Sequence, residues 1–434
     1  MLDLRLIRAE PEAVERALAQ KGGAGLVKEI VALDTMRRRL IREAEDLKAL
    51  RNRVSEAIGQ AKKRGEDASA ETQRMREAGD RIKALDADVK GVDDQVEALR
   101  AQIPNPPHPS APAGRGEDDN VEVRRWGAPR DFGFAPRPHE ELGEALGLLD
   151  LERAAKIAKS RFAVLWGPGA RLSRALAQFM LDLHTREHGY TEVWVPHLVS
   201  GATMLKTGQL PKFEEQLFKT VEADEGRTLY LIPTSEVALT ALHGGEVLPE
   251  ATLPRRYTAF TPCYRREAGT YGKDMKGMFR HHQFDKVELV KITIPARALD
   301  ELESMVRNAE EVLRRLELPY RLVERCAGDL GFSAEKGYDL EVWLPGQGRY
   351  REISSCSSYG VFGGRRGDIR YRPASGGKVE FCATLNGSGL AVGRTLIAVL
   401  ENCQEADGTV TIPPALRPYM DGLARLTARG RSPV

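Results

Sequence analysis

Between Thr261 and Glu288 the chain reads TPCYRREAGTYGKDMKGMFRHHQFDKVE, and the residue types crowded there could hold a nucleotide polyphosphate against a second, cationic substrate. Arg265 and Glu267 stand two apart, so on a β-strand they share one face, the first able to clamp a phosphate and the second to orient an amine. Taken alone, such a pair is more readily a cross-strand salt bridge. The continuation points to chemistry. A glycine-punctuated basic loop, AGTYGKDMKGMFR, runs directly into a second β-rich segment, HHQFDKVELV, which carries Phe284 and Glu288. A hairpin with a basic tip and polar inner face makes a poor core element and a sensible substrate platform. Further on, NGSGLAVGRTLIAVLEN reads as a glycine-rich turn and then a buried helix, with Arg394 at the helix start. There a guanidinium either snorkels, pairs, or reaches a phosphate. Neither a GxxxxGK[ST] loop nor a strand-linked GxGxxG with its following acid occurs, so ATP bound here needs a scaffold unlike the usual nucleotide folds. The adjacent His281 and His282 cannot both face one cleft from a strand, and neither is assigned an acid–base role.

The elements that must position these residues fall into two kinds. From about Leu26 to Ile103 the chain predicts two long helices. Met75, Ala78, Ile82, Leu85, Val89, Val92, Val96, Leu99 and Ile103 form one apolar seam, and Leu33, Leu40, Leu47 and Val54 form another at intervals of seven. Between them, Gly65 can end one helix and Ser69 can cap the next, giving an antiparallel hairpin whose legs are each on the order of 50 Å at 1.5 Å per residue. Residues 37 to 64 carry ten Lys/Arg against four Asp/Glu. That excess is either an ordinary solvated coiled-coil face or a contact for the phosphates of a structured RNA. A Pro- and Gly-rich stretch, IPNPPHPSAPAGRGEDDN, follows as a linker. Beyond Val121, short β-rich runs at 163–166, 191–195, 229–232, 286–290, 338–343, 349–353 and 369–372 alternate with helical stretches such as Arg171 to His188 and Pro295 to Leu316. This pattern predicts an α+β domain on an antiparallel sheet. The reading divides the chain into residues 1–103, a linker at 104–120, and a catalytic domain at 121–434.

Composition narrows the class. At 434 residues, with 41% hydrophobic and 29% charged side chains, the chain suits a catalytic domain plus an appendage. It has no run of about eighteen apolar residues, and its start resembles neither a signal nor a transit peptide, so a cytoplasmic protein without membrane contact is expected. The five cysteines form no CxxC pair, so no zinc site or disulfide framework is expected. A net charge of +2 makes no global case for nucleic acid, and only the local excess on the hairpin does.

Set in order, the hairpin, TGQLPKF at 207–213, PTSEV at 233–237, YRREAG through HHQFDKVEL, YDLEVWLPGQGRYREISSCS at 338–357, and TLNGSGLAVGRTL through IPPALRPYM resemble the bacterial-type seryl-tRNA synthetases over essentially the full chain. These are class II aminoacyl-tRNA synthetases, which bind ATP on an antiparallel sheet with arginines. The resemblance implies activation of L-serine by ATP to seryl-adenylate, then transfer to tRNA(Ser) and also tRNA(Sec), by a homodimer with its interface near Pro196. It implies a serine pocket of Thr234, Ser235, Glu236, Glu288 and Ser388, and an ATP site of Arg265, Arg266, Glu267, Arg280, Phe284, Glu352, Ile353, Ser354, Ser355 and Arg394. Within that site Arg265 and Arg394 would be catalytic, and Glu352 and Ser355 would hold Mg²⁺. It further implies that the hairpin lies on the variable arm of the tRNA and that the loop from Thr270 to Phe279 guides the acceptor end.

One segment departs. Where the family usually continues Asn-Cys-Glu-Asp-Phe-Gln-Ala, this chain reads Ser358-Tyr-Gly-Val-Phe-Gly-Gly364, with no change in spacing. Two acids are among the residues lost there. Two other readings therefore stand beside the ligase: a duplicated synthetase serving resistance or biosynthesis, and a non-catalytic RNA-binding paralogue.

Overall fold

The computed structural model describes residues 1–23, 25–221, 227–269 and 276–428. The chain divides into two units, Met1–Pro104 and Asn105–Val434.

In the first unit, α1 (Leu4–Ala9) and α2 (Pro11–Leu18) precede the long helices α3 (Leu26–Lys63) and α4 (Ser69–Gln102). Leu40 and Ala44 of α3 and Ile82, Leu85, Val92 and Val96 of α4 are buried along the seam. Toward the tip Leu47, Val54, Ile58, Met75 and Ala78 are only half buried, because each helix there has a single partner to pack on. Cross-helix ion pairs flank the seam: Arg37 with Asp93, Lys48 with Asp86 at 2.8 Å, and Arg81 with Glu43 at 2.6 Å. Gly65 follows the end of α3 at φ 76°, as a helix stop requires. Ser69 is not the cap of α4. Ser69 is the first residue of the helix and Ala68 stands at the cap position, while Asp67 just before it accepts from the Ser69 N–H at 2.9 Å and the Ser69 hydroxyl at 3.1 Å.

The base of the hairpin is pinned by charge. Asp34, 2% exposed, accepts from Arg8 Nε at 2.6 Å and Nη2 at 2.7 Å, tying α1 to α3. Asp34→Ala strands the Arg8 guanidinium at this packed junction. It is expected to cost the first unit about 3 kcal/mol, the low end for a broken buried pair because Arg8 is partly exposed. Denaturant unfolding of the full chain followed by circular dichroism should show an earlier loss of helix, and an unchanged unfolding curve would refute the estimate.

The second unit is built on an eight-stranded sheet. Its strands are β1 (Val121–Trp126), β2 (Thr191–Glu192), β3 (Arg255–Tyr264), β4 (Gln283–Thr293), β5 (Tyr320–Glu324), β6 (Lys336–Leu344), β7 (Arg349–Tyr359) and β8 (Ala383–Ala391), in the order β1-β5-β6-β7-β8-β4-β3-β2. All neighbours are antiparallel except β2 with β3. One sheet face is covered by α5 (Pro168–Arg186), α7 (Ala298–Arg315) and α9 (Val392–Asn402). In α7 the residues Leu302, Met305, Val306, Ala309, Val312 and Leu313 recur at steps of three and four and are all fully buried. The shorter α6 (Glu236–Ala241) and α8 (Gly360–Gly367) pack at β3 and β4 and at β8 respectively.

Two features differ from the sequence reading. The segment after Pro104 lies along its own unit, with the Asn105 N–H donating to Phe332 O at 2.8 Å and the His108 N–H to Glu335 O at 2.7 Å. The NGSG stretch is no turn: it is the middle of β8, paired to both β7 and β4. Its glycines serve close packing, since a Cβ at Gly387 would stand 2.6 Å from Cys356 Sγ and one at Gly389 2.6 Å from His184 Nε2.

Candidate active site

The open face of β4, β7 and β8 carries an acidic pocket. Glu288 on β4 and Glu236 at the start of α6 are both buried, and Ser388 on β8 sits directly across from Glu288 in the ladder. The Asn386 amide Nδ2 donates to Glu236 Oε2 at 3.1 Å and to Glu288 Oε1 at 3.2 Å, so one side chain holds the two carboxylates together. Lys286 Nζ lies 2.5 Å from Glu288 Oε2 as an ion pair, outside hydrogen-bond alignment. Thr234 Oγ1 accepts from the Glu236 N–H at 3.3 Å, and the buried Ser235 hydroxyl has no hydrogen-bond partner among the described residues. Burial, and then the neighbouring Glu288, push the Glu236 carboxyl up to about 7. A pocket of this kind receives a cationic group, whose charge would restore the ionised form.

Next to it lies a cluster of arginines. The Arg265 guanidinium stands over the Phe284 ring at 5.1 Å, and its Nε donates to Pro233 O at 3.3 Å. Arg280 Nη1 donates to Glu267 Oε2 at 2.9 Å. Arg394 Nη1 donates to Glu352 O at 2.8 Å and lies 3.3 Å from Glu352 Oε1. Arg394 and Arg351 both lie over the Phe279 ring, at 4.3 and 3.7 Å. Burial alone would raise the Glu352 carboxyl, but Arg394, Arg325, Arg265 and Arg280 outweigh it and hold it below the usual range. Arg265 also bears on Glu236, so its charge is felt on both sides of the site.

Arg265 and Glu267 do not share a strand face. Strand β3 ends at Tyr264, and Glu267 lies beyond it at φ 49°, its carboxylate turned to Arg280. Glu352 and Ser355, three apart, do face one cleft. Glu352 pairs with Glu341 and Ser354 with Leu340, so Ile353 is the extra residue of a bulge that resets the alternation. The Ile353 side chain consequently belongs to the core, which leaves only its backbone for a nucleotide contact. Ser354 Oγ donates to Ser388 O at 2.6 Å, joining β7 to β8. Arg266 is exposed, with its N–H donating to Gln216 O at 2.9 Å. His281 and His282 are bonded to the carbonyls of Gly277 and Arg265, away from any reacting position.

Residues 1–107 match the seryl-tRNA synthetase N-terminal domain, and residues 218–403 match the class II core domain of the G, H, P, S and T tRNA synthetases. A serine–tRNA ligase of Nitratidesulfovibrio vulgaris is 56% identical over 428 residues, spanning 99% of this chain and all of the relative. One of Geobacter sulfurreducens is 54% identical, spanning 98% of this chain and all of the relative. The chain belongs to the seryl-tRNA synthetase family. Seryl-tRNA synthetase of Pyrococcus horikoshii, solved in complex with ATP, superposes with a TM-score of 0.92 at 38% identity, covering 99% of this chain and 100% of that one. The cytoplasmic serine–tRNA ligase of Naegleria fowleri in complex with AMP gives 0.88 at 30% identity, covering 99% of each chain. The enzyme is an ATP-dependent serine–tRNA ligase on an α+β class II core with a helical N-terminal domain.

Sequence reasoning missed several residues of this synthetase's site. Asn386 and Lys286 lie in the NGSG and DKVE stretches, and only strand pairing brings Asn386 to both glutamates and Lys286 to Glu288. Arg325 Nη1 donates to Ser355 Oγ at 3.4 Å, while its Nε meets Asp329 at 3.0 Å and Asp339 at 3.7 Å. Burial raises Asp339 to about 7 against the opposing charge of Arg325. Tyr359, in the divergent segment, is among the groups that bear on the Glu236 carboxyl. Of the loop assigned to the tRNA acceptor end, Thr270 to Met275 lie outside the described residues.

Proposed function

We propose that L-serine binds with its ammonium group against Glu236 and Glu288 and its hydroxyl toward Thr234, Ser235 and Ser388. The Asn386 amide spanning both buried carboxylates carries this reading, because by donating to each it holds the two carboxylates side by side as acceptors for one small cation. A polar pocket of this size selects serine physically: alanine leaves buried acceptors unpaired, and threonine needs room for a methyl. Arg265 then orients the serine carboxylate and the α-phosphate, Phe284 supports the adenine ring, Glu267 faces it, and Arg280 and Arg394 take the γ-phosphate. The serine carboxylate attacks the α-phosphorus in line and pyrophosphate leaves. The ribose hydroxyl at the tRNA 3′ end next attacks the seryl carbonyl and AMP departs. Positioning and charge neutralisation supply the rate, with no covalent enzyme intermediate.

Glu352 and Ser355 fit a role in holding Mg²⁺. Half of the Glu352 side chain is open to the cleft, and one carboxylate plus a hydroxyl suits an ion that completes its shell with phosphate oxygens and water. When bound, the ion would neutralise phosphate charge.

We also assign the exposed cations of α3 to tRNA(Ser), with tRNA(Sec) as a second substrate. Trp194, 87% exposed beside β2, is an apolar surface suited to a homodimer contact. No helix among the described residues is long and apolar enough to cross a membrane, in keeping with a cytoplasmic enzyme. The test of the pocket is serine-dependent ATP–pyrophosphate exchange. Glu236→Gln is expected to raise the KM for serine roughly 10²-fold, as loss of a charged hydrogen-bond partner implies, and to leave the KM for ATP nearly unchanged. A parental KM for serine would exclude the assignment.

A further inference from the structure

Residues 277 to 279, just before β4, are held at three successive backbone groups. The Gly277 carbonyl accepts from His281 Nε2 at 3.2 Å, the Met278 N–H donates to His139 Nε2 at 2.9 Å, and the Phe279 carbonyl accepts from Arg394 Nε at 3.4 Å. His139 begins a short helix, His139–Ala145, and is 1% exposed. Because an N–H approaches its Nε2, that nitrogen is the acceptor and the ring proton sits on Nδ1, which donates to Glu401 Oε1 at 2.9 Å and lies 3.3 Å from Glu140 Oε2. Glu401 is fully buried, and its carboxylate is fixed by the backbone N–H groups of His139 at 3.1 Å and Gly346 at 2.9 Å. Gly277, at φ 70°, comes so close to the ring that a Cβ there would stand 2.3 Å from Nε2.

Glu401 and Arg394 belong to one helix, α9, seven residues apart, which places them within about 20° of each other on the same side. The start of α9 therefore grips Phe279, and its end grips Met278 through His139. The Phe279 ring is the surface on which Arg394 and Arg351 rest, at 4.3 and 3.7 Å, so a shift of that ring moves both guanidiniums. We infer that His139, backed by Glu401, is a positioning residue for ATP: by accepting the Met278 N–H it fixes Phe279, and with it the place where Arg394 meets the terminal phosphate. The ring acts only through the backbone of residues 277 to 279, since both its nitrogens are engaged within the protein. The inference rests on the reading that Arg394 takes the γ-phosphate.

His139→Asn keeps an amide at the Nδ1 position for Glu401 and removes the acceptor for Met278, while His139→Gln carries an amide oxygen to the Nε2 position and restores it. In serine-dependent ATP–pyrophosphate exchange His139→Asn is expected to lower kcat/KM for ATP about tenfold, as loss of one buried hydrogen bond implies, with the KM for serine within about twofold of the parent. His139→Gln should recover kcat/KM for ATP to within about threefold. In an Arg394→Ala background His139→Asn should have little further effect, because it acts through Arg394; a purely structural loss would add in full. A parental kcat/KM for ATP in His139→Asn overturns the proposal, as does an equal loss in His139→Gln, a parallel rise in the KM for serine, or full additivity with Arg394→Ala. Arg394→Ala on its own separates the two levels. If it uses ATP like the parent, the phosphate assignment fails; if it loses ATP while His139→Asn does not, only the positioning role falls.

Discussion

Arg265→Ala is expected to lower kcat for serine-dependent ATP–pyrophosphate exchange by roughly 10²–10³-fold, the loss typical of removing one preorganised charge or donor from a transition state. The position of the side chain explains the size. Its guanidinium lies over Phe284, beside the pocket holding Glu236 on one side and the Glu352 and Arg394 cluster on the other. A group placed between two substrates contributes most as the bond between them forms, so kcat should fall more than either KM rises. Lysine should recover part of the charge without the planar fork, and hence only part of the rate. Exchange within tenfold of the parent in Arg265→Ala would show that the α-phosphate is stabilised elsewhere.

The second large effect belongs to the arm. Arg38, Arg42, Arg53 and Lys63 are exposed on α3, have no acidic partner among the described residues, and at 100° per residue fall on one side of the helix. Replacing all four with alanine is expected to lower kcat/KM for tRNA(Ser) by about 10²-fold or more while leaving exchange intact. If each cation meets a phosphate, the slope of log affinity against log salt should flatten by roughly three, taking 0.7–0.9 per contact. Exchange and aminoacylation falling in parallel would instead point to damage to the fold. Full aminoacylation at raised salt would return the charges to the role of a solvated helix face. Arg37 and Lys48, paired to Asp93 and Asp86, are the natural controls, since their charge is already engaged across the hairpin.

Much of this was legible in the chain. The seam of Ile82, Leu85, Val92 and Val96 required a helical hairpin, because an apolar repeat near 3.5 residues can be buried only by a second helix. The absence of a phosphate-binding glycine loop meant that ATP, if bound, needed a scaffold unlike the usual nucleotide folds, and the order of the sequence blocks pointed to the family, whose resemblance implied arginines at the nucleotide. What misled was local periodicity near the site. Alternation by two placed Arg265 with Glu267, but the strand had already ended; it would have separated Glu352 from Ser355, but a bulge at Ile353 brings them to one face. The glycines of NGSG suggested a turn, though they mark close packing within a central strand.

The sequence alone determined which elements form and which residue types are present for the chemistry, since propensity, pattern and charge are properties of short stretches. Tertiary structure decided which of those residues meet. Asn386 joins Glu236 to Glu288 across 150 and 98 positions of sequence. Such contacts depend on strand register and on the distance between packed backbones, which are set only when distant segments of the chain close on one another.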